Sequence, residues 1–198
     1  MAKKILVVVD TQYDFMMPDG KLPVPRAEEI IVPGIKFLGN LDWHEYAAVL
    51  FTYDSHNQYN YERSEEAKLF PIHCELGTLG WENVFNAGLI DHRIGVWTLE
   101  KDVFNMWENE DVRISDAFSI RQSFDRAEWF NQMKGIGVTQ VEVMGVAADF
   151  CVKWAVDGLL EHGFEVTLIP ELTRGIERSS VSVVLEDFVG KPVKMRTI

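Results

Sequence analysis

Four short apolar runs in this chain each end at, or just before, a side chain able to do chemistry. Asp10 closes 5–9, Asp54 and His56 follow 47–52, Lys101 follows 94–98, and Cys151 lies just past 138–146. A cysteine thiolate is a nucleophile, a carboxylate can accept and return protons, and a nearby ammonium favours the anionic form of a thiol. Carboxylate and imidazole together also suit zinc, iron or manganese far better than calcium. In open α/β sheets, ligands bind in the crevice beyond the carboxyl ends of the strands. If the four runs are parallel strands, all of these groups meet at one edge. One acid after a strand is ordinary, because Asp is common in turns and at helix N-caps. The coincidence of four marks an active site.

The elements that must position these groups are visible in the hydrophobic pattern. Ile5-Leu6-Val7-Val8-Val9 is continuously apolar and rich in β-branched residues, as expected of a strand buried on both faces. Runs at 47–52, 94–98, 138–146 and 164–169 repeat the pattern, and 193–195 is a weaker sixth. Helical spacing occupies 27–41, 124–134, 151–162 and 179–188. This alternation predicts a three-layer, Rossmann-like α/β fold, with a mostly parallel sheet of about six strands flanked by helices. No repeat, low-complexity tract or linker divides the chain, so 1–198 is expected to be a single domain. Segments 55–88 and 101–123 resist the pattern, and long irregular segments in a compact domain are usually functional. Their Trp and Phe content suits a lid, or contact with a second copy of the chain in a homo-oligomer.

Composition narrows the partners. With 47% hydrophobic and 12% aromatic residues, 198 residues can build a core without disulfides. The 31 acidic against 19 basic residues give a formal charge of −12, which repels phosphate backbones and anionic lipid, so neither nucleic acid nor membrane is an expected partner. The two cysteines form no disulfide framework. The apolar run after Met1-Ala2-Lys3-Lys4 stops at Asp10, too short for a signal peptide, and nothing reaches membrane-spanning length. The expectation is a soluble cytoplasmic protein.

Longer motifs surround the same residues. Val9-Asp10-Thr11-Gln12-Tyr13-Asp14-Phe15, Tyr53-Asp54-Ser55-His56, Leu69-Phe70-Pro71-Ile72-His73-Cys74-Glu75-Leu76-Gly77-Thr78 and Gly145-Val146-Ala147-Ala148-Asp149-Phe150-Cys151-Val152 occur in that order. Together they resemble the isochorismatase-like cysteine hydrolases, and within them the nicotinamidase/pyrazinamidase branch. The resemblance implies a catalytic triad of Asp10, Lys101 and Cys151. Cys151 would open a helix, where the macrodipole favours an anion, and Lys101 would lower the thiol pKa further. Asp10 would take the thiol proton and return it to departing ammonia. The family usually has a small residue after this lysine, where the chain has Asp102. The oxyanion would meet the backbone N–H groups of Ala147 and Cys151, after a cis peptide bond at Val146–Ala147.

The same resemblance implies one divalent transition metal, with zinc ahead of iron and manganese. Asp54, His56 and His73 are its implied ligands. The fourth falls among Glu62, Glu65 and Glu66, and the stretch Glu66-Ala67-Lys68-Leu69-Phe70-Pro71-Ile72-His73 favours Glu66. Such a metal would hold a ring nitrogen of the substrate or lower the pKa of a water. Phe15 and Phe70 match positions that stack on the substrate ring. The activity implied is hydrolysis of a small-molecule amide, nicotinamide, to nicotinate and ammonia through a cysteine thioester, with pyrazinamide also accepted. The alternative is another small-amide or carbamoyl hydrolase of the superfamily.

Overall fold

A computed structural model describes residues 3–119 and 122–198 of the chain. In chain order the elements are β1 (Lys4–Val9), α1 (Tyr13–Met16), α2 (Ile31–Gly39), β2 (Tyr46–Asp54), α3 (Gln58–Tyr61), β3 (Gly95–Lys101), β4 (Arg113–Asp116) and β5 (Ser123–Asp125). There follow α4 (Arg126–Gly135), β6 (Gln140–Val146), α5 (Cys151–Glu161), β7 (Glu165–Arg174), α6 (Ser180–Asp187) and β8 (Val193–Met195). The sheet runs β5-β4-β3-β2-β1-β6-β7-β8. It is parallel from β3 through β8, and β4 and β5 add antiparallel at one edge.

The sheet thus has eight strands, not about six. The extra pair, β4 and β5, lies in a segment that carries no apolar run. β5 is the edge strand and β4 lies next to it; Arg113, Ser123 and Asp125 are exposed and Ser115 and Asp116 half-buried, and such outer strands lack the hydrophobic signature of the centre.

β1 shows why a central strand is apolar throughout. Ile5, Val7 and Val9 enter the core on one face, with Trp129, Phe130 and Phe164. Leu6 and Val8 enter the core on the other face, with Ile30, Leu38 and Phe51. Period-2 alternation sends successive side chains to opposite faces, and both faces are covered. Each large side chain removed from water contributes about 1.5–3 kcal/mol, which holds the strand ends where the site needs them.

Register then aligns the chemistry. Val9 pairs with Thr52 on one side and Gly145 on the other, and Asp54 pairs directly with Lys101. The chain leaves β1 toward β2 on one side and meets β6 on the other, so the crevice at this switch point opens over Asp10. Gly145 has φ 117°, and a Cβ there would sit 2.1 Å from the Val9 carbonyl oxygen. Only glycine allows β6 this close to β1 immediately before Asp10. Among the described residues, no helix is long and apolar enough to cross a membrane.

Candidate active site

Two strand ends, of β1 and β3, and the start of α5 bring Asp10, Lys101 and Cys151 together. Asp10 leaves β1 in the left-handed region, φ 47°, a conformation that turns the chain sharply and that Asp tolerates better than most residues. The Thr52 hydroxyl donates to Asp10 Oδ1 at 2.5 Å. Lys101 Nζ lies 2.8 Å from Asp10 Oδ2 and 3.8 Å from Cys151 Sγ. All three side chains are buried. Burial disfavours the charge on Lys101, but Asp10 and Asp54 outweigh it and hold the ammonium well above the usual lysine range.

The thiol departs from expectation. Burial pushes the Cys151 pKa up, Lys101 pulls against it, and Asp10 and Asp54 add to the upward push. The local signals for a depressed pKa are both present, the lysine and the helix start, but desolvation among two carboxylates overrides them.

Ahead of Cys151 the Val146–Ala147 peptide is cis, as the resemblance implied. The Ala147 carbonyl accepts from the N–H groups of Phe150 and Val152 at 3.0 and 3.1 Å, which winds 147–152 into a tight turn at the start of α5. First-turn N–H groups of a helix have no intrahelical acceptor and are available to an anion.

A second cluster adjoins the first. Donor atoms of Asp54, His56, Glu66 and His73 all lie within 4.8 Å of one another, and all four residues are buried. Of the three acidic candidates, only Glu66 joins them. Glu65 is exposed and pairs with Lys68, and Glu62 accepts from Gln58. His56 Nε2 and both Glu66 carboxylate oxygens are buried without a hydrogen-bond partner among the described residues. Three buried polar atoms left unpartnered in one cluster are a costly arrangement that a cation relieves. Burial would lower the His73 pKa, yet Asp54 and Glu66 carry it up to about 9, so the carboxylates draw positive charge into the cluster. His73 Nδ1 meets the Pro71 carbonyl at 2.8 Å, leaving Nε2 to face Asp54. Two imidazoles and two carboxylates are a donor set for zinc or a related divalent transition metal.

Gln12, Asp14 and Asp149 lie within the sequence motifs, but their roles are visible only in the structure. Gln12 clamps the Asp54 backbone from both ends, its Oε1 accepting from Asp54 N and its Nε2 donating to Asp54 O, each at 2.7 Å. Asp14 accepts from Cys74 N at 2.8 Å and so holds the loop that carries His73, with Cys74 at φ 45°. Asp149 accepts from Ile176, Glu177 and Arg178 N–H groups at 2.8–3.0 Å, tying the nucleophile turn to the loop before α6. Their signal was an acid or amide at fixed spacing from a site residue, with no way to read its hydrogen-bond partner from sequence.

Beside Cys151 lies a small apolar pocket. Phe15 and Phe70, the two expected aromatics, both line it, joined by Phe104 and Phe150, which sequence reasoning missed. Phe70, Phe104 and Phe150 meet one another with centroids 5.7–5.9 Å apart. The free volume is about 20 Å³. A cavity that holds benzene is nearer 150 Å³, so this space as it stands is smaller than a ring.

The isochorismatase domain family matches residues 4–194. The nicotinamidase of Saccharomyces cerevisiae is 26% identical over 200 residues, covering 87% of this chain and 88% of that protein. The pyrazinamidase of Pyrococcus horikoshii, solved in complex with zinc, superposes with TM-score 0.73 at 26% identity, covering 99% of both chains. PnC1 of L. infantum, solved in complex with nicotinate, gives TM-score 0.73 at 23% identity over 99% of this chain and 93% of that one.

Proposed function

The chain belongs to the isochorismatase family, and on that premise we propose that it is a nicotinamidase, hydrolysing nicotinamide to nicotinate and ammonia through a thioester on Cys151, with pyrazinamide as a second substrate. In this reading 1–198 serves as one cytoplasmic hydrolase domain, and zinc is its metal. The carrying observation is the junction of three things at one strand edge. A buried Asp10–Lys101–Cys151 set meets a four-donor cluster through the Lys101–Asp54 pair, and the apolar aromatic pocket is lined by Cys151 and by Phe15, whose ring lies 5.1 Å from that of His73. The likeness to a yeast nicotinamidase and to a zinc-bound pyrazinamidase supports it.

The steps follow from the proton positions. Cys151 Sγ attacks the carboxamide carbon as its proton passes to Asp10, so no free buried thiolate need form. Lys101, between Asp10 and Cys151, keeps the site near neutral as the charge moves. The N–H groups of Ala147 and Cys151 receive the oxyanion, and losing one such donor in a comparable site costs about 3 kcal/mol. Asp10 returns its proton to the nitrogen, the C–N bond breaks and ammonia leaves. Water then attacks the thioester with Asp10 again as base. Nicotinate departs and the thiol regains its proton. A divalent cation held by Asp54, His56, Glu66 and His73 would supply a Lewis acid, either for the ring nitrogen or to lower the pKa of water.

The test is ammonia release from nicotinamide by the purified, zinc-loaded protein, with Cys151→Ala as control. Release by the parent and none above blank by the variant is expected. Turnover of other small amides but not of nicotinamide would replace this reading with the broader amidohydrolase one.

A further inference from the structure

Tyr61, the last residue of α3, is buried and takes no part in the steps above. Its hydroxyl lies 2.9 Å from the Phe70 carbonyl, 3.0 Å from the Pro71 carbonyl and 3.5 Å from His73 Nδ1. The Pro71 carbonyl is the same one that meets His73 Nδ1. The Tyr61 ring stands edge-on to both imidazoles, 4.7 Å from His56 and 5.6 Å from His73. One side chain therefore touches two of the four metal-type donors and ties down the turn between Phe70 and His73. The helix under it is itself pinned, since the Asn57 side chain accepts from Asn60 N at 3.0 Å.

We propose that Tyr61 is a positioning residue that sets the 70–73 turn, and through it both the orientation of His73 toward a metal and the Phe70 wall of the acyl pocket. The inference rests on the metal reading above. A ligating histidine needs its second ring nitrogen fixed, and outer partners of that kind typically govern 10–100-fold in metal affinity. Here the fixing group is a backbone carbonyl whose own position depends on the tyrosine. Without the hydroxyl, the Phe70 and Pro71 carbonyls lose their shared donor and the turn is free to relax. The imidazole and the phenyl ring then shift together, because only Pro71 and Ile72 separate them.

The experiment compares Tyr61→Phe with the parent and with Tyr59→Phe, an exposed position on the same helix. Zinc affinity of each apoprotein is measured by competition with a chromogenic chelator, and apoprotein melting is followed in parallel. Tyr61→Phe is expected to bind zinc on the order of 10-fold more weakly, with an apoprotein melting temperature like the parent's and Tyr59→Phe unchanged. At saturating zinc its KM for nicotinamide should rise more than its kcat falls. Equal zinc affinity in Tyr61→Phe and parent overturns the inference while the metal reading stands. So does a lowered apoprotein melting temperature with unchanged zinc affinity, which would make Tyr61 merely structural. An unchanged KM at saturating zinc overturns the Phe70 arm. A parent that binds no zinc at all overturns the metal reading and this inference with it.

Discussion

The Asp54 carboxylate faces Lys101 with one oxygen and the histidine cluster with the other. Oδ1 is 3.3 Å from Lys101 Nζ, and Oδ2 is 3.1 Å from His73 Nε2 and 3.2 Å from His56 Nε2. Burial opposes its charge, yet Lys101 and the two histidines hold its pKa well below the usual carboxylate range. The acid thus links the proton-transfer set to the metal-type cluster. Two charges about 4 Å apart interact by about 4 kcal/mol at an effective dielectric of 20, so what binds on one side is felt on the other.

Asp54→Asn keeps the shape and removes the charge. It should lose zinc retention and also leave Lys101 leaning on Asp10 alone. Its residual kcat/KM is expected to fall below that of the parent stripped of metal by a chelator. Measured side by side, equal residual rates would mean that the link to Lys101 does no work.

The thiol is expected to report its burial. Because burial lifts the Cys151 pKa, alkylation by iodoacetamide should accelerate as pH rises through the alkaline range. Lys101→Met removes the cation that pulls the other way and should slow alkylation at neutral pH, together with turnover. Cys74 is fully buried, its thiol also pushed up by burial, and it should react more slowly than Cys151. Peptide mapping after timed alkylation reads both sites, and equal rates would remove the case for a distinct nucleophile.

Benzamide separates the two roles open to a metal. It retains ring and carboxamide but has no ring nitrogen. If that nitrogen is what the Asp54, His56, Glu66 and His73 cluster serves, benzamide should lose on the order of 10³-fold in kcat/KM, because a site group is left unpaired. His56→Ala should then penalise nicotinamide most and narrow the gap. A gap within about threefold, under 1 kcal/mol, would assign the cluster to water instead.

At the far end of the sheet, Glu142 is buried against Lys4 Nζ at 2.8 Å, Arg196 Nη2 at 2.8 Å and the Tyr46 hydroxyl at 2.5 Å. Burial raises its pKa, but Arg196, Lys4 and Tyr46 outweigh this and lower it. Its stabilisation is therefore complete above the usual glutamate range and is lost as pH falls through the depressed value. Glu142→Gln should cost about 1–2 kcal/mol at neutral pH, reduced because Lys4 and Arg196 reach solvent, and should flatten the acid limb of stability. Denaturant melts at several pH values test this, and an unchanged acid limb would show that Glu142 plays no part in it.

Much of this molecule is readable without coordinates. Ile5 to Val9 reads as a central strand, because five apolar, mostly β-branched residues in a row suit burial on both faces. The runs ending near Asp54, Lys101 and Cys151 carry the same logic, so parallel order alone brings those residues to one edge. The resemblance singled out Glu66 by its spacing from His73, and the structure brings Glu66, not Glu62 or Glu65, into the cluster.

Other features depended on the tertiary structure, because they come from contacts between segments distant in sequence. The β4–β5 edge pair lacks an apolar run, since an edge strand has a solvated side to satisfy. The left-handed turn at Asp10 and the close approach at Gly145 are set by how β1, β2 and β6 crowd together. Phe104 and Phe150 become pocket walls only when the segment after β3 folds over the start of α5. The direction of the Cys151 pKa is the clearest case. Sequence names the lysine and the helix start, which are local and favour the thiolate. Desolvation and the approach of Asp10 and Asp54 are properties of the assembled interior, and there they prevail.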